Sequence, residues 1–214
     1  MLTLFYSPFA CSLSCHIALE ESGLAYTLAE VNTSRGENRS AAYLAINPLG
    51  KVPALAFDGQ VLTEAAAILG YIADLVPNKA LLPAPRTVAR ARAQEWLNFL
   101  SSTVHIAFRP VLRPERMVAN AGCVDDIRRV GISNVIDALQ EADRRLSGQP
   151  FALGDRFSLC DGYLLVFYLW SRRDLLRAHM PPLPALKATT RRALERPSAQ
   201  EAFRKEGLSV PTDL

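Results

Sequence analysis

Cys11 is the side chain best placed for nucleophilic or redox chemistry. It follows an apolar run, Leu2-Thr3-Leu4-Phe5-Tyr6, and opens a helical stretch with Leu13 and Ile17 on one face and Glu20 and Glu21 on the other. The run reads as a short buried strand and Ser7-Pro8-Phe9 as the turn out of it, so Cys11 falls in the first helical turn. Unpaired backbone N–H groups and the positive end of the helix dipole favour an anion there. A thiol with an ordinary pKa of about 8.5 falls to roughly 3.5–7.5 in such places. A small core cysteine is the alternative that position alone leaves open.

Cys15, Cys123 and Cys160 read as packing residues. Cys11 and Cys15 are four apart, which is not the spacing of a thioredoxin-type redox pair, and no His/Cys cluster has zinc-ligand spacing. His16 is adjacent in sequence but points elsewhere on the helix.

Two other segments offer backbone groups to a ligand. In Lys51-Val52-Pro53, a cis bond at Pro53 would turn the N–H and C=O of Val52 outward for an extended peptide to pair with, as a strand adds to a sheet edge. A trans proline starting an edge strand is the plainer alternative. In Thr63-Glu64-Ala65, Thr63 is a fair N-cap. The N–H groups of Ala65 and Ala66 would seat a carboxylate, and the Glu64 side chain an ammonium; simple stabilisation of a helix start is the alternative. Asn98, Ser102 and His105 share a helix face, and position alone favours a solvent-facing stripe. Phe157-Ser158-Leu159-Cys160-Asp161 has the form of a capping box and reads as a folding element.

The elements that position these residues differ between the two halves. Up to about residue 77 the order is strand (2–6), helix, strand (26–31), an irregular or helical piece, two strands (53–57 and 60–62) joined at Asp58-Gly59, and a helix. That last helix begins at Glu64, with Ile68, Tyr71, Ile72 and Leu75 facing inward, and stops at Pro77. Leu81-Leu82-Pro83-Ala84-Pro85 is a linker. Beyond it everything reads as helix: 87–118, bent or interrupted near Pro110 and ended by Pro114; 125–146; 158–179; then shorter pieces at 185–196 and 198–205.

Composition narrows the function classes. The chain has 214 residues, half of them hydrophobic, enough for one large core or two modest ones. Its longest apolar run, Tyr163 to Trp170, is far shorter than a membrane span, and the start lacks the pattern of a signal peptide. A cytoplasmic protein with reduced thiols is expected. Residues 1–80 carry four basic and seven acidic side chains, the remainder twenty and fourteen. The later arginines alternate with acids at helical spacing, which marks solvated helix faces and not a nucleic-acid surface.

Together Phe5-Tyr6-Ser7-Pro8-Phe9-Ala10-Cys11-Ser12-Leu13, Asn47-Pro48-Leu49-Gly50-Lys51-Val52-Pro53-Ala54-Leu55, Leu62-Thr63-Glu64-Ala65, Glu95-Trp96-Leu97-Asn98-Phe99 and Phe157-Ser158-Leu159-Cys160-Asp161 resemble a bacterial beta-class glutathione transferase, of the cysteine-type cytosolic superfamily. The resemblance implies an α/β thioredoxin-like N-terminal domain (βαβ-α-ββα) at 1–78 that binds glutathione. It further implies an all-α helical-bundle C-terminal domain at 86–214 that forms the electrophile pocket. It also implies a homodimer, glutathione as co-substrate, a small apolar electrophile, and no metal, nucleic-acid or membrane partner.

By the same resemblance Cys11 and His105 are catalytic, and Cys11, Arg35, Lys51, Val52, Pro53, Glu64, Ala65, Asn98 and Ser102 bind glutathione. Asn98 and Ser102 would reach the ligand of the neighbouring subunit. Cys11 either hydrogen-bonds the glutathione thiolate or forms a mixed disulfide with it. Two departures stand out. Ala65 lacks the serine hydroxyl many relatives carry, and Ile106 stands where relatives often place a lysine, which makes the pocket more apolar. A non-catalytic ligand- or partner-binding protein of the same fold is the alternative from another class.

Overall fold

The computed structural model describes residues 1–211. Its first part is a four-stranded mixed sheet, β2-β1-β3-β4. Strand β1 (Leu2–Tyr6) pairs parallel with β2 (Tyr26–Glu30), Leu4 opposite Leu28. On its other side β1 pairs antiparallel with β3 (Ala54–Phe57), Leu4 opposite Leu55. Strand β4 (Gln60–Thr63) closes the edge through a hairpin whose Asp58 and Gly59 both have positive φ, as the tight turn requires. Helices α1 (Ser12–Ser22), α2 (Ala41–Ile46) and α3 (Ala65–Leu75) complete this part. This is the thioredoxin-like order expected, with Thr63 ending β4 instead of capping α3.

The second part is helical: α4 (Val88–Phe99), α5 (His105–Leu112), α6 (Val124–Leu146), α7 (Leu159–Ser171), α8 (Asp174–Arg177), α9 (Pro184–Leu194) and α10 (Pro197–Lys205). Asp161 accepts hydrogen bonds from the N–H and Oγ of Ser158, both 2.8 Å, and from the N–H of Ala152, 2.7 Å, so the capping box fixes the start of α7. No described helix is long and apolar enough to cross a membrane.

Several expectations need correction. Helix α1 does not have a wet face: it lies between α3 on one side and α7 and α10 on the other, and is buried from Ser12 through Leu19. Glu21 pairs with Arg196, and Glu20 receives Lys205 Nζ at 2.6 Å, so both acids tie α1 to α10 and its approach. In α3 the inward residues are Ile68, Leu69, Ile72 and Ala73; Leu75 is exposed, and Tyr71 is half-buried, stacked on Phe57. Cys15 and Cys160 are core residues as expected, while Cys123 is exposed. The helix beginning at 159 ends at Ser171, because Arg173 turns to an extended conformation before α8.

The long helix after the linker is interrupted by a π-helical turn at Leu100–Val104, not at Pro110. Pro110 stays inside α5 because α6 presents Gly131 to it. A Cβ at Gly131 would meet Pro110 Cβ at 2.6 Å and the backbone nitrogen of Val111 at 3.1 Å. Alanine is otherwise the better helix former by about 1 kcal/mol, yet neither obstacle is a flexible side-chain tip. Gly131→Ala is therefore expected to destabilise the protein by about 1–3 kcal/mol, read as a lower urea midpoint with an unchanged slope.

Candidate active site

Cys11 is the residue from which α1 starts, already in helical conformation and nearly buried. The loop before it is held at several points. Ala10 N–H donates to Ser7 O at 3.0 Å, and Ser12 Oγ both donates to Ser7 O and accepts from Ser7 N–H, each at 3.2 Å. Phe9, at φ 58, donates its N–H to Glu206 Oε2 at 3.1 Å and accepts Trp170 Nε1–H at 3.0 Å on its C=O. Its ring lies under the Arg173 guanidinium.

Across from Cys11 runs the segment leading into β3. The Val52–Pro53 bond is cis. The carbonyl of Lys51 accepts Tyr43 Oη at 2.6 Å and Asn47 Nδ2 at 2.8 Å, which anchors the strand that carries Val52. Gly50 has φ 58 and lies so near Asn38 that a Cβ would meet its carbonyl at 2.7 Å. The Cys11 thiol donates to Val52 O at 3.5 Å. Sequence reasoning did not single out Tyr43 or Asn47 as supports; the Asn-Pro-x-Gly turn was the available signal.

The third wall is the start of α3. Glu64 sits at φ 68, ψ 118, no side chain caps the helix, and Glu64 and Ala65 line the cleft. These three segments bound a cleft of about 420 Å³ that also takes in Ser102, His105, Ile106, Arg109 and Tyr163 from the helical part. A neighbouring cavity of about 660 Å³ shares Cys11, Lys51, Val52, His105 and Arg109 and extends past Arg39, Arg113, Arg116 and Trp170.

Of the residues singled out earlier, Cys11, Lys51, Val52, Pro53, Glu64, Ala65, Ser102 and His105 line this cleft. Arg35 is exposed and lines neither space; Arg39 and Lys51 supply the cations on that side. Asn98 accepts Gln94 Nε2 at 3.1 Å and lines a separate groove with Leu62, Tyr71 and Arg90. Arg109 and Tyr163 went unnoticed, one as a solvated charge, the other as part of an apolar run.

The electrostatics overturn the expected acidic thiol. Burial pushes the Cys11 thiol up to about 12; the backbone N–H groups at the helix start pull the other way, as does Arg109, while Glu64 adds to the rise. Desolvation by the surrounding protein outweighs the helix-start N–H groups. His105 is pushed down to about 4 by burial first, then by the charges of Arg109 and Lys51. Its ring packs against Phe167 and Trp170, so it is a cleft wall and not part of a solvent stripe. Among the described residues no three His, Cys, Asp or Glu side chains gather as metal ligands would.

Two measurements check these states. At pH 7 iodoacetamide is expected to label exposed Cys123 well before Cys11, by peptide mass mapping. NMR is expected to show His105 neutral down to about pH 5. The unfolded chain protonates this residue near 6.5 and the folded one near 4, so its linkage removes stability as pH falls through that window.

Comparison with known proteins agrees with the geometry. Residues 6–75 match the family described as glutathione S-transferase, N-terminal domain. Glutathione S-transferase GstA of Escherichia coli O157:H7 is 35% identical over 210 residues, covering 97% of this chain and all of that protein. The bacterial transferase BphK, solved as a ternary complex, is 39% identical with a TM-score of 0.85 over 96% of this chain and all of its own. A sphingomonad glutathione S-transferase solved with glutathione is 36% identical with a TM-score of 0.83, covering 97% and 100%. With a full-length relative at this identity and the same sheet and helices, the chain belongs to the glutathione S-transferase family.

Proposed function

We propose that this transferase binds glutathione along the Val52 edge and conjugates its sulfur to an electrophile, with Cys11 acting as a hydrogen-bond donor and not as a covalent carrier. The observation that carries the reading is the convergence of the Cys11 thiol, the Val52 backbone and the uncapped start of α3 on one cleft. Residues 1–78 serve as the tripeptide-binding domain and 86–214 supply the electrophile pocket.

In this reading the cysteinyl backbone of glutathione pairs with Val52 as an added strand. Its γ-glutamyl carboxylate meets the N–H groups of Ala65 and Ala66, and Glu64 takes the ammonium. Lys51 and Arg39 face the glycyl carboxylate, with Arg35 further out. Once a glutathione N–H takes the Val52 carbonyl, the Cys11 S–H is released to donate to the glutathione thiolate. That thiolate attacks the electrophilic carbon; the C–S bond forms, and the leaving group departs with the bonding pair. A thiol held near 12 supports the donor role, because a mixed disulfide requires the Cys11 thiolate. Neutral His105 stands at the same wall, able to exchange a hydrogen bond with either sulfur.

The chain is proposed to work as a cytoplasmic homodimer, where its four free cysteines stay reduced. The groove between α3 and α4 is built from Leu62, Ala66, Ala67, Gly70 and Tyr71 with Asn98. It suits a second copy that would bring its own Asn98 and Ser102 near the ligand.

Retention on immobilised glutathione with turnover of chlorodinitrobenzene is the expected behaviour, and absence of both overturns the reading. Cys11→Ala is expected to keep conjugation at a level about tenfold to a hundredfold below the parent, the worth of one hydrogen bond to a charged sulfur. Its pH–rate profile should move to higher pH. Loss of glutathione-dependent disulfide reduction with conjugation unchanged would instead assign Cys11 a covalent role. Sedimentation is expected to show twice the 23.5 kDa chain mass.

A further inference from the structure

We propose that the second substrate carries a carboxylate-type anionic group, which seats against Arg113 and Arg116 while its apolar body lies over Met117 and Trp170. This inference rests on the reading of the site as a glutathione-transfer centre and names the substrate class for it.

The cavity of about 660 Å³ beside Cys11 is lined by Arg39, Lys51, Arg109, Arg113 and Arg116 and by no carboxylate. Several arginines elsewhere in the helical part pair with an acid one turn away: Arg92 with Glu95, Arg128 with Asp125, Arg129 with Asp126, Arg144 with Glu141 and Arg204 with Glu201. The arginines of this cavity have no acid among its lining residues. Among the described residues Arg39, Arg109 and Arg113 have no ion pair, and Arg116 has only exposed Glu115 at 4.0 Å. Arg173, behind Phe9, adds a further positive charge close to Arg113.

Glutathione does not use up this charge. Its γ-glutamyl carboxylate is met at the start of α3, and its glycyl carboxylate by Lys51 and Arg39. Arg109 borders both cavities beside Cys11 and His105, and so serves the reacting sulfur. Arg113 and Arg116, which line the larger cavity and not the Glu64 cleft, are left over. Like charges gathered around a cavity with no carboxylate in its lining favour an anionic guest, and a guanidinium fork matches a carboxylate in shape. The apolar pocket expected from Ile106 is thus half of the picture: Ile106 lines the adjoining cleft, while Met117 and Trp170 give this cavity an apolar wall and the arginines a charged end.

The test uses the full chain and two electrophiles that differ by one anion, chlorodinitrobenzene and chlorodinitrobenzoate. In each, glutathione sulfur bonds to the carbon bearing chlorine, chloride leaves with the bonding pair, and the thiol proton passes to buffer. Values of kcat/KM are divided by the uncatalysed rates.

The carboxylate is expected to be favoured about tenfold at low salt, the size of one or two partly exposed charge contacts. That preference should vanish as added salt shortens the Debye length to about 3 Å. The double variant Arg113→Ala/Arg116→Ala should bring the carboxylate-to-neutral ratio near unity, and Arg116→Glu should invert it, with circular dichroism unchanged. A parent enzyme that retains glutathione and turns over both electrophiles equally, or a ratio that neither salt nor the variants move, overturns the inference alone. Failure to retain glutathione or to turn over either electrophile overturns the functional reading and this inference with it.

Discussion

The backbone of Phe9 is gripped from both sides by residues 197 and 161 positions away, Glu206 on its N–H and Trp170 on its C=O. Phe9 holds a left-handed backbone conformation that costs a non-glycine residue about 1–2 kcal/mol. Two partly buried hydrogen bonds, one to a carboxylate, offset a cost of that size. The kink they stabilise lies two residues before Cys11 and sets the angle at which the chain enters α1. The helical part therefore does more than wall the cleft: it holds the loop that aims the thiol at Val52.

The same logic runs along α1. Its face toward α10 carries His16, fully buried, with Nδ1 2.9 Å from Glu206 Oε1 and Nε2 3.0 Å from Tyr26 Oη. Tyr26 in turn donates to Glu20, which also receives Lys205. Ser12, Ser14 and Ser22 are buried too, each bonded to a carbonyl of its own loop or helix. Polar groups placed inside a protein are costly when unpaired and specifying when paired. Here they admit one docking of α10 against α1, and Glu206 joins that docking to the Phe9 clamp.

This explains what the sequence could and could not reveal. The strands and the Asp58-Gly59 hairpin were legible because alternation and turn chemistry are local. So were the capping box at Ser158 and Asp161 and the shared surroundings of Cys11, Val52 and Glu64, which rest on short motifs. The burial of α1 was not, because polar residues on all faces erase the amphipathic signal that periodicity relies on. The π turn at Leu100–Val104 was hidden by Pro110, the more obvious breaker, since only tertiary structure shows Gly131 making room for the proline. Arg109, Arg113 and Arg116 looked like ordinary solvated charges. All three line one cavity with no carboxylate in its lining, which spacing along one helix cannot disclose.

Desolvation and charge act in opposite directions in the cleft, and their division of labour is informative. Burial keeps the Cys11 thiol and the His105 imidazole neutral, while the cations at the rim remain charged because their long side chains reach water. The cleft therefore sets Glu64 at one wall, while the neighbouring cavity carries arginines and a lysine with no carboxylate in its lining. Such a site gains most from a guest that brings its own negative sulfur. In the proposed mechanism a thiolate on Cys11 itself would compete for the same Arg109 charge and set two anions side by side, which Coulomb repulsion disfavours. A neutral resident thiol, in that mechanism, leaves room for a foreign thiolate beside it.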